Sequence, residues 1–178
     1  MKFVISVISA LFFAGAACAQ PEGFAYGPLI KDYGPVAAIS GARPAPEEAA
    51  YQVSFDVKTQ AEIGTVSRSL ESGARFLNMH AAAGVSPDRM KLAFVIHGAA
   101  VRDVTHNEFY SEETGAENAS LGLIKVLQEN GVDIFVCGQS AAYYGVSTGD
   151  LAPGVEMALS AMTMHAELQQ RGYTLNPF

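Results

Sequence analysis

The sequence predicts a single three-layer α/β domain, a mostly parallel sheet of about five strands with helices on both faces, and three observations carry that prediction. Apolar runs rich in β-branched and aromatic residues recur near 51–57, 91–98 and 132–137, each ending at or near a polar side chain. Segments with apolar residues every three or four positions separate these runs, and strands alternating with helices build a parallel sheet through right-handed crossovers. The about 159 residues left after an N-terminal leader suffice for one hydrophobic core and not for two.

The leader occupies residues 1–19. Lys2 supplies a positive start, 3–14 an apolar stretch, and Ala17-Cys18-Ala19 a small-residue cleavage site, so the mature chain is expected to begin at Gln20 in the periplasm or outside the cell. Acylation of Cys18 is the rival reading, but Gly15-Ala16-Ala17 lacks a large aliphatic residue ahead of the cysteine. The apolar stretch is shorter than the roughly 20 residues a membrane span needs, and no second one follows. Residues 20–50 form a proline-rich arm in which Tyr26-Gly27-Pro28 and Tyr33-Gly34-Pro35 repeat seven residues apart. Such an arm packs on its own domain or reaches onto a neighbouring subunit.

The domain proper spans 51–178. Residues 51–57 alternate apolar and polar as a strand with one better-buried face. Thr59 or Asp56 can cap a helix whose apolar face is Ile63, Val66, Leu70, Ala74, Leu77 and Ala81, stopped by Gly84 and Pro87. Residues 91–98 read as a central strand covered on both faces, and 101–115 as an irregular loop with room for a helical turn, carrying His106 and Tyr110. Asn118 or Ser120 opens a short helix closed by Gly131, after which Val132 to Cys137 form the strand that ends in Gly138. Ser140 to Tyr144 begin a short helix. A last helix starts at Pro153 and runs through Val155, Ala158, Leu159, Met162 and Ala166 to Arg171, with Tyr173 to Leu175 as a final strand; its methionines read as core filling.

Charge excludes several functions. The chain has 11 basic and 18 acidic residues, a net charge of −7 that becomes about −8 once Lys2 is removed. Nucleic acid and anionic lipid are therefore not expected partners. His80, His97, His106 and His165 show no metal-ligand spacing, and no phosphate-binding glycine motif is present, so neither metal nor nucleotide cofactor is expected.

Asp56, His97 and Cys137 each fall at the carboxyl end of an expected strand, and a parallel sheet gathers such ends at one rim, where ligands bind. Cleavage leaves Cys137 as the lone cysteine, either an inert core residue or a thiol activated by the start of the following helix. His97 either bonds to backbone or holds and deprotonates that thiol. Asp56 reads as a cap before an acid. Gly98, Gly138, Gln139 and Ser140 lie beside these residues, and Tyr143 can wall the thiol pocket or simply pack.

Val95-Ile96-His97-Gly98, the Gly131-Val132 junction, Val136-Cys137-Gly138-Gln139-Ser140, the small-residue helix running to Gly145-Val146, and Leu168 to Tyr173 occur in order at these separations. From about Tyr51 onward the chain thereby resembles the DsrE/DsrF-like family, as a secreted member. The resemblance implies a doubly wound, flavodoxin-like sheet of about five strands, assembly into trimers or hexamers, and, as in sulfur-relay members, a cysteine that carries sulfane sulfur as a persulfide. Cys137 matches that cysteine. It implies a sulfur carrier or sulfurtransferase with a protein donor or acceptor; the alternative is a non-catalytic oligomer binding a small molecule or protein at the strand rim. The export signal and the arm set this chain apart from the cytoplasmic relay members.

Overall fold

The computed structural model describes residues 22–46 and 48–177, so the leader expected at 1–19 lies outside the described residues. The arm carries a two-residue antiparallel pair, β1 (Phe24–Ala25) with β2 (Val36–Ala37). The domain follows as β3 (Tyr51–Val57), α1 (Arg68–Ala82), β4 (Met90–Ile96), α2 (Asn107–Thr114), α3 (Leu121–Glu129), β5 (Asp133–Cys137), α4 (Gly138–Tyr143), β6 (Glu156–Ala158), α5 (Ala161–Gln170) and β7 (Thr174–Asn176). Five of these strands form one sheet in the order β6-β5-β4-β3-β7, each neighbouring pair parallel.

This order explains the layers. The chain steps outward from β3 to β6, then returns across the sheet to pair β7 with the other side of β3. Crossovers of one hand place α1 and α3 on one face, and the reversal of direction places α5 on the other. The first face holds the larger core: Phe55 and Phe94 stack at 5.0 Å beneath Leu70, Leu77 and Leu127. Gly73 lets α1 press onto it, since a Cβ there would lie 2.6 Å from the Phe94 ring. The second face is flatter, with Ala93 and Val95 against Met164 and Leu168.

Three expectations need correction. Ser67, not Asp56 or Thr59, caps α1, its hydroxyl accepting from the Leu70 N–H at 3.5 Å. Ile63 therefore precedes the helix and is exposed. The segment 101–115 is ordered: a 3₁₀ stretch over Gly98–Val104 leads into α2, which His106 caps through Nδ1 and Gly115 closes at φ +75°. Such a left-handed terminus suits glycine, which has no Cβ to clash. The helix predicted from Pro153 begins instead at Ala161, where the Ser160 hydroxyl accepts from the Thr163 N–H at 3.0 Å. Residues 156–158 form the edge strand β6, because the open side of β5 offers them backbone partners. Of the three methionines, Met164 is buried on the second face and Met157, in β6, packs half-buried against the larger core, whereas Met162 is 80% exposed.

The arm lies against α1 of its own chain. Asn78 is fully buried there, its Oδ1 accepting from the Ile30 N–H at 2.9 Å and its Nδ2 donating to the carbonyls of Ile30, Tyr33 and Gly34. Asn78→Ala strands four buried backbone groups, each costing about 1–3 kcal/mol when unpaired. The expected outcome is cleavage of 22–50 by limited proteolysis while the 51–177 domain stays intact; an arm as resistant as the parent's would refute the anchor.

Asp103 is buried between the 3₁₀ stretch and the loop after β3. Its Oδ2 accepts from the Ala61 N–H at 2.8 Å, whereas Oδ1 has no partner among the described residues. Burial pushes this carboxyl up from 3.8 to about 6, against the smaller effect of the Ala61 bond. A raised carboxyl stabilises the fold fully below its unfolded value and loses that contribution as pH rises through the folded one. The loss amounts to about 3 kcal/mol. Asp103→Asn should therefore raise the melting temperature at about pH 8, partly offset by an unpaired amide, with the gain disappearing below about pH 3.8. An equal gain at both pH values in thermal unfolding would show that ionisation is not the cost.

Candidate functional site

Strand alternation sorts the rim. On β5, Ile134 and Val136 point into the larger core, so Phe135 and Cys137 face α5. On β3 and β4 the same rule sends Asp56 and His97 to the α5 side, since Phe55, Val57 and Ile96 belong to the opposite core. The ladder pairs Ile96 with Val136, and the next residues along these two adjacent strands are His97 and Cys137.

Cys137 is a free thiol, 6% exposed, at the junction of β5 and α4. Gly138 brings that junction against the exit of β6: a Cβ there would lie 2.8 Å from the Ala158 carbonyl oxygen. Burial pushes the thiol up, but the Ser140 hydroxyl and the amides of Ser140, Ala161 and Gln139 outweigh it and hold the group below its ordinary value. Donors thus come from the first turns of two helices, α4 and α5. Backbone N–H groups in a first turn lack helical partners and favour an anion, here a thiolate.

Ser140 is positioned by its neighbours. Its Oγ accepts from the Gly98 N–H at 3.0 Å, which leaves the hydroxyl proton for the sulfur. Gly98 takes φ +56°, a left-handed turn that carries the chain from His97 into the 3₁₀ stretch. The Gln139 side chain is exposed and donates through Nε2 to the Leu159 carbonyl at 3.3 Å, joining α4 to the β6–α5 connection.

Asp56 and His97 form a second cluster beside the thiol. Asp56 Oδ1 accepts from His97 Nε2 at 3.0 Å and from His165 Nε2 at 2.8 Å. Burial pushes the Asp56 carboxyl up, yet the bonds from His165 and His97 and their charge hold it below the usual carboxylate value. An ionised carboxylate only accepts hydrogen bonds, so both imidazoles carry a proton on Nε2. Among the described residues no group of three is arranged to hold a metal ion.

Two readings of the site change. His97 does not donate to the sulfur; its Nε2 turns to Asp56, which is thereby no helix cap. Tyr143 does not wall the thiol: it is 83% exposed, edge-on to Tyr144, which in turn stacks under Arg102. His165 is the residue that sequence reasoning missed. Once Ser160 is taken as the cap, Ala161, Met164, His165 and Leu168 share one face of α5 at helical spacing, and the histidine falls on the sheet side.

Ser140→Ala removes the side-chain donor to the sulfur and leaves the Gly98 amide unpaired. Losing a hydrogen bond to a charged group costs about 1.5–3 kcal/mol, so alkylation of Cys137 by iodoacetamide at neutral pH should slow by about tenfold or more, with its pH midpoint displaced upward. An unchanged profile would show that the amides alone set the thiol's acidity.

Comparison with known proteins agrees with the architecture. No curated protein matches the chain. A solved structure from Methanobacterium thermoautotrophicum, the protein of unknown function MTH1491, superposes with a TM-score of 0.54 at 20% identity, covering 72% of this chain and 99% of its own. The ychN protein from E. coli superposes with a TM-score of 0.50 at 18% identity, covering 71% of this chain and 99% of its own. At such identities the likeness is one of fold. The DsrE/DsrF-like family model matches residues 55–177, from β3 through β7 and including Asp56, His97, Cys137 and His165, and the chain therefore belongs to the DsrE/DsrF-like family.

Proposed function

We propose that this protein handles sulfane sulfur, with Cys137 accepting a sulfur atom from a donor and passing it to an acceptor as a carrier or sulfurtransferase. The observation that carries this reading is the lone thiol of the described residues, buried at the sheet rim where β5 meets α4, its acidity raised by the neighbouring Ser140 hydroxyl and the amides of Ser140, Ala161 and Gln139. A thiolate is the nucleophile in attack on sulfane sulfur, and donors that stabilise it also make Cys137 a better leaving group when the sulfur is passed on. The family is associated generally with sulfur metabolism, which supports the same chemistry. The leader read at 1–19 assigns this work to the periplasm or cell exterior. Protein donors or acceptors and a homo-oligomeric trimer or hexamer complete the proposal. No helix among the described residues is long and apolar enough to cross a membrane.

A second reading, a non-catalytic oligomeric binding module, has one observation in its favour. Tyr143, Leu159 and Met162 are large, apolar and exposed on the segments that surround Cys137, a surface suited to a protein partner.

Intact mass separates the two readings. After incubation with glutathione persulfide or polysulfide, the mature protein should gain the mass of one sulfur, mapped to Cys137, and Cys137→Ser should gain none. A parent protein of unchanged mass would leave only the binding module.

A further inference from the structure

The cluster of Asp56, His97 and His165 is bonded within itself and is not among the groups that lower the Cys137 thiol, which lie on α4 and α5. Its construction is asymmetric. Both imidazoles spend Nε2–H on the same carboxylate oxygen, and these imidazoles are the ion-pair partners of Asp56 among the described residues. His165 Nδ1 is then sealed: it is buried and has no hydrogen-bond partner. His97 Nδ1 has no partner among the described residues either, but its side chain is 27% exposed and stands on the strand next to Cys137. One ring nitrogen of the cluster is therefore neither bonded nor sealed, and it belongs to His97, at the end of the strand next to that of Cys137.

Resting on the sulfur-carrier reading, we infer that His97 is the proton carrier of the transfer and that Asp56 and His165 are its positioning residues. The substrate class is a thiol persulfide, R–S–SH, whose departing thiolate needs a proton. In the first half, the Cys137 thiolate attacks the sulfane sulfur, a Cys137 S–S bond forms, and the R–S bond to that sulfur breaks. The departing thiolate takes the proton from Nδ1 of the His97 imidazolium, giving Cys137–S–SH, R–SH and neutral His97. In the second half, neutral His97 takes the proton of an acceptor thiol at Nδ1. The resulting thiolate attacks the outer sulfur, releasing the Cys137 thiolate and a new persulfide. Protons and electrons balance over the cycle, and no external oxidant or reductant enters.

Asp56 keeps the resting proton of His97 on Nε2, so that only Nδ1 exchanges. His165 supplies the second donor that keeps this partly buried carboxylate ionised. Helix α5 also joins the two clusters. Ala161, whose amide reaches the sulfur, and His165 lie four residues apart on one helical face.

The test varies the leaving group in the full mature protein. Cys137 is reacted with alkyl persulfides, whose leaving thiolate needs a proton, and with an aromatic disulfide such as Ellman's reagent, whose aryl thiolate leaves without one. His97→Gln should slow sulfur uptake from glutathione persulfide by about 10²–10³-fold while changing the aromatic reaction less than about threefold. Asp56→Asn and His165→Gln should slow only the first reaction, by about tenfold. The aromatic reaction doubles as the control for folding. On the parent protein alone, uptake across persulfides from aryl to alkyl leaving thiols should depend only weakly on their acidity. Equal slowing of both reactions by His97→Gln, no slowing of either, or steep leaving-group dependence in the parent overturns the inference while leaving the carrier reading in place. A parent that takes up no sulfur from any persulfide overturns both.

Discussion

Helix α5 lies across the sheet face that carries both polar clusters, and the site depends on where it docks. Its first amide reaches the Cys137 sulfur, and one turn later His165 reaches the Asp56 carboxylate. Both contacts need the helix close to the sheet, which the small side chains Ala93, Ala158 and Ala161 permit. The helix can cross this face because the chain reverses direction after β6 and returns to β7 at the far side of β3. A hand-preserving crossover in that direction has only this face open to it.

The two faces of the sheet divide their work. The face under α1 and α3 is deep and aromatic, with Phe55 and Phe94 among the largest buried side chains, and it supplies most of the apolar burial. Each fully buried large side chain there contributes about 1.5–3 kcal/mol relative to exposure. The face under α5 buries less apolar surface and tolerates a carboxylate, two imidazoles and a thiol. Polar groups can occupy it because they satisfy one another: Asp56 with its two histidines, Cys137 with its amides and Ser140. His165 Nδ1 and Ser54 Oγ, both buried without partners, mark where that satisfaction is incomplete.

Much of this was legible in the residues. The strands at β3, β4 and β5 follow from their apolar runs, and the convergence of Asp56, His97 and Cys137 follows from parallel strands ending at one rim. What misled was local competition. Residues 153–171 have one apolar pattern compatible with a long helix, and the Ser160 cap together with the open edge of β5 decides against it. That shift in helix start hides His165, because a helical residue's face is defined only once the helix's first residue is known. His106 likewise reads as a free imidazole in a loop until α2 needs a cap.

Composition and periodicity by themselves determined the fold class, the parallel strands and the thiol at a strand end next to a helix start, since these rest on local preferences and short-range pattern. Only the tertiary structure decided which partner each polar group takes. His97 is one position from either a thiol on β5 or a carboxylate on β3, and no sequence pattern distinguishes the two. The choice is made by His165, 109 residues from Asp56, which helps hold the carboxylate ionised and in reach. The thiolate meanwhile is met by Ala161, brought from the next crossover. Contacts of that separation depend on how layers pack, a property of the folded whole.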